Sequence, residues 1–140
     1  MKTSIGFLSI IFLLQIACKN SKTEYSHTPV SGDEAPVAWQ SCVYFTDHQL
    51  SVCFIGAEEY RCPCYTDCIW EGAVNATIQI STQNGLDTTI VLTTNSNPAG
   101  LHQSETIEGK TIRFLRTDGL DQGCADYGNY NKYKAVVLIE

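Results

Sequence analysis

Residues 73–94 read "AVNATIQISTQNGLDTTIVLTT", and their period decides the fold class. Val74, Ala76, Ile78 and Ile80 fall on one side of an extended chain, and Asn75, Thr77, Gln79 and Ser81 on the other. Successive side chains of a strand point to opposite faces, so this alternation describes a strand with one buried face. Asn84-Gly85 then supplies a hairpin turn signal, because both central positions of a tight two-residue turn favour positive φ. "TTIVLTT", residues 88–94, returns as a strand rich in β-branched residues.

The same period extends outward from this hairpin. "CVYFT" (42–46) and "LSVCFI" (50–55) read as strands joined by "DHQ", and "TIRFLRT" (111–117) and "YKAVVLIE" (133–140) read as strands near the C-terminus. No stretch beyond the N-terminal leader carries a helical stripe, and no internal repeat is present. Short strands separated by turn signals predict an all-β fold, a small antiparallel β-sandwich of the immunoglobulin-like kind.

The N-terminus reads differently. Lys2 is a short positive region, and "IGFLSIIFLL" (5–14) is an apolar run of ten residues. A membrane-spanning helix needs about 20 residues, so the run fits the core of an export signal. "LLQIAC" follows and ends at Cys18. The stretch resembles a bacterial lipoprotein signal, in which a small residue precedes a cysteine that is lipidated and becomes the new N-terminus. Leu14 sits one position earlier than that pattern has it, and Gln15 occupies the leucine position. The resemblance implies a signal peptide over 1–17 and membrane anchoring through Cys18. Each buried methylene contributes about 0.8 kcal/mol, so several acyl chains hold where one would not. A cell-envelope location follows, at the outer membrane, with the domain in the periplasm or at the cell surface. Residues 19–37 are polar, hold two prolines and lack apolar periodicity. With Cys18 they read as a flexible tether over 18–37, leaving the sandwich domain to 38–140.

Losing Lys2 with the leader leaves eight basic against fifteen acidic side chains, a net charge of −7. That field has the wrong sign for nucleic-acid binding and suits solubility.

The chain has seven cysteines, Cys18, Cys42, Cys53, Cys62, Cys64, Cys68 and Cys124. Lipidation of Cys18 leaves an even set, and an exported chain meets an oxidising space in which such cysteines pair. Three of them lie within "RCPCYTDCIWEGAV", residues 61–74. Zinc sites built from thiolates use C-x2–4-C pairs with a second pair or histidines beyond. Here the spacings are C-x-C and C-x3-C, and His27, His48 and His102 show no ligand pattern. A thioredoxin-like centre needs C-x-x-C at a helix start, which is missing. A disulfide framework is therefore the expectation. The competing reading is a copper- or zinc-binding or thiol-redox protein using Cys62, Cys64 and Cys68.

"RCPCYTDCIWEGAV" also resembles the pattern R-C-P-x4-C-[IV]-W-A-G-x-[AV] of a group of small bacterial exported proteins and lipoproteins. Arg61, Cys62, Pro63, Cys68, Ile69, Trp70 and Gly72 match it, Glu71 replaces its alanine, and Cys64 is an additional cysteine. "IEGKTIRFLRTDG" and "YKAVVLIE" are similar to the C-terminal part of the same group. The resemblance implies a small β-sandwich with a Cys62–Cys68 staple and brings no catalytic residue or cofactor with it. Such a bridge contributes about 2.4 kcal/mol on the chain-entropy model. Trp70 is expected to cover it, and Gly72 to permit a bulge or close approach. For the other four cysteines, a turn centred on Glu58-Glu59 puts Cys53 opposite Cys64 and leaves Cys42–Cys124. A turn at Asp47-His48 instead puts Cys42 opposite Cys53 and leaves Cys64–Cys124. The first pairing is favoured here.

"TDGLDQGCADYGNYNKY", residues 117–133, reads as a long loop. Asp118, Asp121, Asp126, Asn129 and Asn131 are hard oxygen ligands of the sort calcium takes, without the spacing of an EF-hand. Tyr127, Tyr130 and Tyr133 in the same loop are the candidate binding surface, because exposed tyrosines mark recognition edges. No nucleophile elbow, zincin helix or phosphate-binding glycine loop is present. Glu58 and Glu59 are adjacent on a strand and so point to opposite faces. Asn75-Ala76-Thr77 matches a glycosylation sequon but lies on a strand. The expectation is a binding or structural module for a protein or glycan, rather than an enzyme.

Overall fold

The computed structural model describes residues 25–62, 66–69, 72–95, 100–119 and 128–140. Two sheets pack face to face. The first has the order β1-β3-β4-β5-β6 and the second β2-β9-β8-β7. Their strands are β1 His27–Val30, β2 Glu34–Ala38, β3 Ser41–Phe45, β4 Leu50–Glu59, β5 Val74–Thr82, β6 Asp87–Thr93, β7 Ser104–Ile107, β8 Lys110–Asp118 and β9 Lys134–Ile139. All pairings are antiparallel except that of β1 with β3. The expected antiparallel β-sandwich is thus present. The likeness to an immunoglobulin domain is one of layers, since β3 to β6 form consecutive hairpins within one sheet.

Alternation in sequence becomes the two sides of each sheet. Ala76, Ile78 and Ile80 of β5 face inward beside Val52 and Phe54 of β4 and meet Ile112, Phe114, Val137 and Ile139 of the second sheet in one core. At about 25 cal/mol for each Å² of apolar surface removed from water, this core is the main stabilising term. The hairpin between β5 and β6 differs from the expected two-residue turn. Gly85 alone has positive φ, the Gly85 N–H donates to Thr82 O, and the Thr82 N–H donates to Leu86 O. The loop is therefore three residues long, with its left-handed position filled by glycine.

Two strands lie in the segment expected to be a tether. β1 pairs with β3 and β2 with β9, so the sandwich includes residues that the prolines made look unstructured. Both prolines sit on outer edges, where a missing N–H costs no ladder bond. Cys18 and the rest of the leader lie outside the described residues.

The turn expected at Glu58-Glu59 is absent. β4 continues through Glu59, and Glu58 pairs with Asn75 and Glu59 with Val74. The favoured disulfides Cys53–Cys64 and Cys42–Cys124 are corrected accordingly. Cys42 and Cys53 lie directly opposite on β3 and β4 and are bonded to each other, with Cα atoms 4.0 Å apart. The tight turn at residues 46–49 fixes that register. Cys64 and Cys124 lie outside the described residues.

Cys42–Cys53 closes a loop that the chain-entropy model values at about 2.8 kcal/mol. Replacing both by alanine should lower unfolding free energy by that order, measured by denaturant titration. Peptide mapping of the oxidised protein should recover Cys42 joined to Cys53. Recovery of Cys53 joined to Cys64 would contradict the register.

Candidate functional site

A register shift between Phe54 and Gly56 sets the chemistry at one end of the sandwich. Phe54 faces the core, Ile55 is the extra residue, and beyond it the inward positions are Ala57 and Glu59. A bulge of one residue reverses which parity points inward. It turns the Glu59 side chain into the sandwich, where it is only 2% exposed. Its neighbour Glu58 stays outside, where it accepts a hydrogen bond of 3.1 Å from the Tyr60 hydroxyl.

A buried carboxylate needs partners, and Glu59 has three. Arg61, two residues on and therefore on the same face, pairs with its Oε1. The Tyr133 hydroxyl donates to Oε2, and the Gly128 N–H donates to the same oxygen at 3.1 Å. Arg61 also reaches the Tyr133 hydroxyl oxygen at 3.4 Å. Burial, then the hydrogen bond and negative charge of Glu59, push the Tyr133 hydroxyl up to about 12. Tyr133 therefore remains a donor throughout the physiological range.

Two chain crossings frame this cluster. Gly72 has positive φ, and a Cβ there would collide with the Tyr60 carbonyl and the Arg61 backbone. Gly119 likewise lies against the Lys132 carbonyl. These glycines pinch the bases of the 60–72 hairpin loop and of the segment ending at Tyr133. Gly72 thus serves the close approach expected of it. Beside the cluster, Trp39 stacks on Tyr130 at 5.3 Å and meets Phe54 edge-on at 5.2 Å, while Tyr130 meets Tyr133 edge-on.

The tyrosine surface expected from sequence is corrected by this arrangement. Tyr133 is 0% exposed and belongs to the core, and Tyr130 is half-buried against Trp39. Tyr127 lies outside the described residues, as do Asp121 and Asp126 of the candidate calcium loop. Asp118 accepts a hydrogen bond from Arg116 at 3.0 Å. Asn75 of the sequon is 4% exposed on β5, which closes it to modification.

The opposite character marks the hairpin tip. Cys62 and Cys68 are joined, as the motif resemblance implied. Pro63, Cys64, Tyr65, Trp70 and Glu71 fall outside the described residues, so the expected cover of Trp70 over the bridge does too. Ile69, next to the bridge, is 105% exposed, and Tyr60 at the loop's base is half-exposed. Among the described residues no group of three or more His, Cys, Asp or Glu side chains is placed to hold a metal ion.

In the sequence Glu59 reads as part of a turn or as one of two carboxylates on opposite strand faces, and not as a buried charge. A signal was there: Glu59 and Arg61 stand at i and i+2, which shares a face on any strand. The bulge that chooses which face is marked only by Gly56, a lone glycine inside the strand pattern at the register shift, while Ile55 itself reads as an ordinary strand residue.

Comparison with protein-family models, with curated proteins and with solved structures finds no match.

Tyr133 gives a pH test. A hydroxyl held protonated in the folded state, against an ordinary value near 10 when unfolded, adds stability that is complete below about pH 10. It is lost as pH rises towards about 12. Wild-type melting temperature should fall across that window more steeply than that of Tyr133→Phe. At neutral pH the variant should be less stable by about 1–3 kcal/mol, since a donor to a charged group is gone. Parallel pH profiles would contradict the coupling.

Proposed function

We propose that this chain is a lipoprotein of the bacterial cell envelope, anchored in the outer membrane through Cys18, and that its sandwich is a non-catalytic binding module. The observation that carries the binding reading is Ile69. An aliphatic side chain with full exposure gains nothing for the fold, and its loop is closed by the Cys62–Cys68 bridge. Covalent closure lowers the entropy lost when such a tip docks. With Tyr60 at its base, the tip fits an apolar pocket on a protein partner. The two disulfides accord with an oxidising compartment. A soft-metal or redox site on the same cluster would need Cys62 and Cys68 as thiolates, and their bond to each other supports the structural reading instead.

The experiment uses a photo-crosslinking residue at Ile69 in the full chain, in intact cells, with the same residue at exposed Glu105 as control. Discrete adducts from position 69, absent from 105 and diminished by Tyr60→Ser, are expected. Equal or no adducts from the two positions would remove the binding reading. Fractionation of the same cells tests the anchor: Cys18→Ser should leave the membrane fraction or stay unprocessed. A variant that remains membrane-bound at the mature mass would contradict it.

A further inference from the structure

Among the described residues the sandwich has four outer strands, and three are closed against further pairing. The N–H groups facing outward can be assigned from the bonds that face inward. In β1, Ser26 and Val30 carbonyls accept from β3 and the residue after it, which leaves His27 and Pro29 facing out. In β2, the Trp39 N–H donates to Tyr133 and the Asp33 carbonyl accepts from Ile139. Glu34, Pro36 and Ala38 therefore face out. Each of these edges has a proline, with no N–H, in an outward slot. β7 has only four residues, and the His102 carbonyl just before it already accepts from the Thr93 N–H. Proline, brevity and covering contacts are the devices by which natural sheets avoid edge-to-edge association.

β6 has neither proline nor brevity, and its one covering contact is at its last residue, Thr93. Its seven residues, Asp87 to Thr93, hold no proline, glycine or basic side chain, and most are β-branched. Thr94 N–H donates inward to Val74, whereas Thr93 N–H donates outward to His102. By alternation Asp87, Thr89 and Val91 present their N–H and C=O groups outward, and no described strand pairs with them. The one charge that could guard the edge is drawn back over its own sheet. Asp87 Oδ1 accepts from Gln79 Nε2 at 2.8 Å and from Ser81 Oγ at 3.3 Å. Val91 is left 40% exposed beside this edge.

We propose that the open edge of β6 pairs antiparallel with β6 of a second copy of this chain, making a two-fold dimer with one continuous ten-stranded sheet built from the two five-stranded ones. The register is fixed by which groups are free. Thr93 is engaged by His102, so the usable edge runs from Asp87 to Val91 and is centred on Thr89. Thr89 then exchanges its N–H and C=O bonds with the partner's Thr89 across the axis. Each Asp87 lies opposite the partner's Val91, so no like charges meet. Because the other three edges are closed, assembly stops at two chains, as an isologous contact requires. The proposal is independent of the hairpin tip, which lies at the far end of β5 from the β5–β6 turn.

The test is sedimentation velocity of the full-length chain in detergent over a range of concentrations, comparing wild type with Thr89→Pro and Val91→Lys. The Thr89 N–H faces outward, so proline there removes an intermolecular donor without breaking the β5–β6 ladder. Val91→Lys changes only an exposed side chain and stands in if the proline variant does not fold. Wild type should sediment at twice the monomer mass at high concentration, and both folded variants at the monomer mass, with the melting temperature of Val91→Lys unchanged from wild type at dilutions where all are monomers. Wild type that stays monomeric throughout, or a Val91→Lys variant that dimerises as wild type does, would overturn the proposal.

Discussion

The arrangement depends on one inward-facing carboxylate. The bulge at Ile55 turns Glu59 into the sandwich, and a charge there is tolerable only because Arg61, Tyr133 and Gly128 converge on it. Removing one partner of a buried charge leaves the others uncompensated, at a cost of about 3–5 kcal/mol for fully buried pairs. Arg61 is partly exposed, so solvent makes up some of that difference. The partners come from two parts of the chain, Arg61 from the residues after β4 and Gly128 and Tyr133 from the segment before β9, and Glu59 is the point at which they are held together. The end of the first sheet, the base of the 60–72 hairpin loop and the segment that leads into β9 are thereby joined.

Two close backbone approaches flank that junction, one in each of the connections that meet there. Gly72 lets the returning arm of the hairpin lie against Tyr60 and Arg61, and Gly119 lets the other segment lie against Lys132. The chain also crosses between sheets here. The Trp39 N–H donates to the second sheet and the Gln40 N–H to the first, so the Trp39 ring closes the corner over Phe54 and Tyr130. The Cys62–Cys68 bridge and the exposed Ile69 lie between the two arms that meet at this base.

Periodicity made the central strands legible: β5 and β6 follow the alternation of residues 73–94, because a strand with one buried face writes its geometry into its residue order. The edges were not legible, because Pro29 and Pro36 mark a missing N–H and say nothing of which way it points. Facing outward, each is compatible with a strand. The cysteine pairing turned on one residue of register. A bulge and a continued β4 took Glu58-Glu59 out of a turn, and the short 46–49 turn brought Cys42 against Cys53. Tyr133 could be seen as an aromatic residue in a polar stretch, but its hydroxyl is satisfied by an inward Glu59, and that inward turn follows from a bulge signalled only by the lone Gly56 within β4.

The most direct measurement is amide hydrogen exchange on the full chain with Glu59→Ala against wild type. Gly128 donates to Glu59 in the folded protein, and a bonded amide exchanges only when that bond opens. The account predicts that the substitution strips protection from Gly128 and from Tyr60, which donates to Ala73 at the hairpin base, while amides of β5 such as Ile78 keep theirs. Unchanged protection at Gly128 and Tyr60 in a folded Glu59→Ala protein would contradict it.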